Sequence, residues 1–92
     1  DIIVTELSHG NGKENSAHKI YQIELPDNTL TTITVFAENN ARDPEDHPTI
    51  QKITPTNQFK SDVNWNELDQ PTQNTIRNEL KERVAKDDWF QN

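Results

Sequence analysis

Cysteine and methionine are absent from these 92 residues, glycine occurs twice, and only 29% of the residues are hydrophobic. Each shortage closes a class of function. Without thiols there is no disulfide framework, no thiolate metal ligand and no cysteine nucleophile. Both glycines, Gly10 and Gly12, fall in one stretch, so no glycine-rich loop cradles a phosphate. No apolar run approaches the roughly 20 residues of a membrane helix. No Asn-x-Ser/Thr sequon occurs either. The chain opens at Asp1 without any methionine, which reads as a processed or trimmed N-terminus.

Acid is what the chain has in surplus. Sixteen Asp and Glu against nine Lys and Arg give a net charge of −7. The surplus is uneven: residues 1–70 hold twelve acids and five bases, whereas 71–92 hold four of each. Such a body repels phosphate backbones and suits a basic partner surface. A nucleic-acid binder is therefore not expected.

A mean hydropathy of −1.04 leans toward disordered composition, yet the apolar residues cluster, which lets one thin core form. Ile2 to Leu7 is β-branched and apolar, as expected of a strand with both faces partly covered. Residues 8–16, with Asn11-Gly12, read as a long hairpin loop. His18 to Leu25 alternates, with Tyr21, Ile23 and Leu25 on one face. Leu30 to Ala37 does the same with Thr31, Ile33, Val35 and Ala37. Pro26-Asp27-Asn28-Thr29 supplies turn chemistry between them, so the pair predicts a β-hairpin. Residues 38–48 form an acidic, proline-bounded loop. Thr49 to Thr54 fits an edge strand or a helical turn equally, and Phe59 suits a core anchor.

The last third predicts helix. Asn64-Trp65-Asn66-Glu67 has the form of a capping box. Asp69 suits an N-cap, with Pro71 tolerated in the first turn. Thr72, Ile76, Leu80 and Val84 then step by four to make one apolar stripe. Glu79–Arg83 and Glu82–Lys86 are i,i+4 pairs in the favourable order, and Arg83 and Lys86 suit the C-terminal dipole. The expected architecture is one small α+β domain over 1–92. Residues 1–55 are mainly β and 62–88 helical, with an antiparallel sheet of three or four strands and the helix packed on one face.

Chemistry-bearing constellations are few. Asp43-Pro44-Glu45-Asp46-His47 gathers oxygen ligands, but it lacks a glycine and the steps of a calcium loop. His9, His18 and His47 have no zinc-like spacing, and no serine stands in a nucleophile context. No metal, cofactor or catalytic residue is expected. The reading that remains is a non-catalytic binding module of the inhibitor, immunity or adaptor type, docking on a basic protein surface, with no direct nucleic acid and no membrane. Its expected contact residues are Glu38, Asp43, Glu45, Asp46, Asp62, Glu67 and Asp69, together with Trp89-Phe90, which suits either a cap folded back on the core edge or an exposed anchor for a partner. A fold packing the helix across one face could bring the polar connections 38–47 and 61–70 to the same end of the domain. Two alternatives stand beside this: a nucleic-acid mimic with carboxylates in rows on one face, and a structural or accessory subunit without independent activity.

Overall fold

Period-two alternation becomes four antiparallel strands in the computed structural model, which describes residues 1–11, 16–39, 48–56, 59 and 62–86. The strands are β1 (Ile3–Asn11), β2 (Ser16–Glu24), β3 (Leu30–Asn39) and β4 (Pro48–Pro55). They pair in sequence order, β1-β2-β3-β4. A 3-10 turn (Trp65–Glu67) and one helix, α1 (Gln70–Lys86), follow. This is the expected small α+β fold, and the ambiguous segment around Ile50 and Ile53 is its fourth strand.

The β2–β3 hairpin closes as its residues dictate. Asn28 N–H donates to Leu25 C=O at 2.9 Å, and Leu25 N–H to Thr29 C=O at 2.8 Å. Asn28 takes a left-handed φ of 68°, which a short polar side chain tolerates better than a bulky one. Asp27 Oδ1 accepts from Thr29 N–H at 3.0 Å and fixes the corner.

Registration places Tyr21 opposite Ile33, Lys19 opposite Val35 and Ala17 opposite Ala37. These rows face α1, whose stripe supplies Ile76, Leu80 and Val84, all buried. Trp65 is buried beside them, and Val4, Ile50, Ile53 and Leu68 pack around the edge. All eight residues expected at the centre, Tyr21, Ile23, Leu25, Ile33, Val35, Ile76, Leu80 and Val84, are in this core. The helix lies over the β4 side of the sheet. Toward β1 the same face ends in an ion pair, Glu6 to Lys19 at 3.3 Å.

Asp69 Oδ1 accepts from Thr72 N–H at 3.1 Å, so the expected N-cap forms. Asn64 caps the 3-10 turn instead of an α-helical one: its side chain accepts from Asn66 N–H at 2.9 Å. Gln73 Nε2 donates to the carbonyls of Trp65 (2.9 Å) and Leu68 (3.3 Å) and ties that turn to the helix. Among the described residues, neither Glu79–Arg83 nor Glu82–Lys86 closes as an ion pair. The helix is held by its buried stripe and its cap.

Four expectations change. Residues 8–11 are not loop: β1 runs through Asn11 and β2 begins at Ser16. A ladder needs backbone groups more than apolar side chains, and Gly10 has a further use. A Cβ placed there would come within 2.6 Å of His18 Nε2, so its absence seats the imidazole. Strand β1 is also not covered on both faces. Ile3 is 55% exposed, and Leu7, at a bulge between Glu6 and Ser8, is exposed as well. Phe59 is no core anchor, being 43% exposed. Finally, the described residues that bound the two polar connections lie at opposite ends of the sheet. Glu38 pairs with Thr49 at one end, while Thr56 N–H bonds Thr32 C=O and Val63 N–H bonds Leu30 C=O at the other. Because β4 runs between the connections, they are separated by the length of β3 from Leu30 to Glu38, about 26 Å at ~3.3 Å per residue.

Candidate functional site

The end of the sheet that carries the β2–β3 turn also receives the start of α1, and a cavity opens between them. It measures about 520 Å³ and is lined by Asp1, Ile2, Leu25, Pro26, Asp27, Thr72 and Thr75. Local rules position each wall. Pro26 and Asp27 project from the hairpin corner, and Thr72 and Thr75 come from the first turns of α1, where Asp69 fixes the helix start. Thr75 Oγ1 donates to Pro71 C=O at 3.0 Å, so its methyl and Cβ remain to line the space. The walls are mainly aliphatic, and two acidic residues, Asp1 and Asp27, belong to the lining.

Charge accumulates at this end of the sheet, on both of its faces. Glu24 ends β2 opposite Leu30 and Ile3. Asp62 precedes the Val63–Leu30 hydrogen bond. Glu67 and Asp69 lie between that bond and α1. With Asp1 and Asp27 they make six acidic side chains at one end. A described base, Arg77 of α1, holds its guanidinium 5.7 Å from the Trp65 ring centroid. The other described side chains carry four acids (Glu6, Glu38, Glu79, Glu82) against five bases (Lys19, Lys52, Lys81, Arg83, Lys86). Among the described residues, the acidic surplus belongs to this end.

Two of these carboxyls are fully exposed and held ionised by hydrogen bonds. The Thr72 hydroxyl, then its backbone N–H, hold Asp69 below the ordinary value of 3.8. The Thr29 hydroxyl and backbone N–H do the same for Asp27. Charge-assisted donors favour the anion, so both stay negative through the physiological range.

The expected contact residues divide. Glu67 and Asp69 are exposed at the acidic end. Asp62 is there too, half-buried, with Oδ2 accepting from the Thr32 hydroxyl. Glu38 is exposed at the opposite end of β3. Asp43, Glu45, Asp46, Trp89 and Phe90 lie outside the described residues. Reading from sequence overlooked Asp27, Glu24 and the cavity itself. Asp27 carried a signal, a charged residue at a proline turn, but its backbone role accounted for it completely.

The sheet face away from α1 offers a different surface. Gly10, His18, Phe36 and Lys52 form one row across all four strands. His18 and Phe36 ring centroids are 5.8 Å apart, and Lys52 Nζ stands 4.6 Å from the Phe36 centroid. The described acids in the strands of this face, Glu24 and Glu38, stand at its opposite ends. No group of three His, Asp or Glu gathers as metal ligands among the described residues, and no described helix is long and apolar enough to cross a membrane. No protein-family model, curated protein or solved structure matches the chain.

Proposed function

We propose that this chain is a non-catalytic binding module, of the inhibitor, immunity or adaptor type, that docks its acidic end on a basic protein surface. The observation that carries this reading is the gathering of six acidic side chains at one end of the sheet, where an open cavity is lined by two of them, Asp1 and Asp27. Exposed charges outside a buried centre act mainly on encounter: they steer a basic partner in and raise the association rate. A cavity with aliphatic walls then offers an anchor the desolvated contact that supplies affinity. Separation of Glu24 from Glu38 along the open face favours a protein partner over nucleic-acid mimicry, which needs carboxylates in rows.

The test is affinity capture from a lysate of the source cells at low and high salt, followed by association kinetics with the captured protein. Asp27→Asn, Glu67→Gln and Asp69→Asn together remove three of the six charges at the acidic end while keeping side-chain acceptors at both caps. The triple variant should associate more slowly with a flatter salt dependence, and dissociate at nearly the parent rate. Glu45→Gln with Asp46→Asn neutralises the other connection and serves as the comparison. An unchanged on-rate and salt slope for the triple variant would reduce the acid surplus to a solubility device.

A further inference from the structure

We infer that the cavity between the β2–β3 turn and the first turns of α1 receives an arginine side chain of the partner. This rests on docking through the acidic end and specifies its anchor. Three features of the space select the occupant. Its walls, Ile2, Leu25 and Pro26, are aliphatic and suit a run of methylenes. Two acidic residues, Asp1 and Asp27, are part of the same lining and suit a cation at the end of that run. At about 520 Å³, it is within the range of specific pockets and accommodates a long side chain with part of the backbone bearing it.

A long apolar stem with a cationic tip describes both lysine and arginine, and desolvation separates them. An ammonium is a strongly hydrated point charge. A guanidinium is planar, weakly hydrated and able to present two parallel N–H donors to one carboxylate while its face lies on an apolar wall. Entry into a mainly aliphatic space therefore favours arginine. Anionic groups are repelled by the acidic residues at this end, and a wholly aliphatic side chain would gain nothing from the charge of Asp27.

The experiment measures fluorescence anisotropy of labelled hexa-arginine and hexa-lysine peptides on the 92-residue protein at low and physiological salt. Hexa-arginine should bind more tightly. Asp27→Asn keeps the acceptor that Thr29 N–H uses and removes only the charge, so it should weaken hexa-arginine binding about threefold to tenfold. Thr75→Trp fills the cavity from an exposed helical position and should abolish the preference for arginine, with an unchanged circular dichroism spectrum as evidence of folding. Equal binding of the two peptides would overturn the assignment to arginine. Parent-like binding by both variants, with loss instead in Glu67→Gln/Asp69→Asn or Glu45→Gln/Asp46→Asn, would overturn the socket and leave acidic docking standing. Failure of both peptides to bind at low salt would remove the socket and the docking reading together.

Discussion

Beneath α1, β3 presents Thr31, Ile33, Val35 and Ala37, each fully buried. On the opposite face, the same strand presents Thr32, Thr34, Phe36 and Glu38, which pass from buried to exposed along its length. Thr31 and Thr32 make the contrast sharpest, because they are chemically identical neighbours and both inaccessible. Thr31 is sealed by the core, and its Oγ1 has no hydrogen-bond partner. Thr32 is sealed by the connection that follows β4: its carbonyl accepts from Thr56 N–H, and its hydroxyl donates to Asp62. One face is closed by apolar contact, which tolerates an orphaned hydroxyl at a cost. The other is closed locally by polar contacts, and beyond them it opens to solvent.

The strongest way to break this comparison is to truncate the helix stripe. Leu80→Ala should cost about 2–5 kcal/mol, and thermal melts with denaturant titration measure it. An unchanged melting temperature would mean that the stripe does not seal the face. The two threonines come next and should respond with opposite signs. Thr32→Val should destabilise by about 1–3 kcal/mol, because the buried Asp62 carboxylate loses its donor and Oδ1 already has none. Thr31→Val removes an unpaired hydroxyl at nearly constant shape, so stability should rise, by up to ~1 kcal/mol. Equal signs for the two would erase the distinction between the faces.

The smallest effect concerns acid. Asp69 has a folded pKa below its ordinary 3.8, so the unfolded chain takes up its proton first as pH falls. Its stabilisation is complete above that ordinary value and is lost as pH drops through the lower folded value. Melts carried from neutral pH to below 3.8 should therefore show a shallower acid decline in Asp69→Asn than in the parent. Asparagine keeps the cap, so the difference isolates the charge.

The elements of the fold were legible because their signals are local. Alternation in β2 and β3, the Pro26–Thr29 corner, the Asp69 cap and the four-residue stepping of the stripe each act within a single element or turn. The end of the β1–β2 hairpin was not legible, because strand pairing there depends on Gly10 meeting His18 across the ladder. Thr49 to Thr54 was ambiguous for the same reason, since three-residue spacing of Ile50 and Ile53 fits a strand only once the bulge between Phe36 and Ala37 is known. That one ambiguity decided where the acidic connections lie. A helical turn there would have left them close, and a strand carries them to opposite ends.

By itself, the sequence determined the antiparallel hairpin, the capped helix, the core residues and the sign and size of the charge, because each follows from composition or from neighbours along the chain. Only the tertiary structure decided that Asp27, far from Asp69 in sequence, shares an end with it, and that a cavity opens between their elements. Both depend on where α1 begins relative to the sheet. That position is fixed by the burial of Ile76, Leu80 and Val84 against strands far earlier in the chain, contacts that no local pattern encodes.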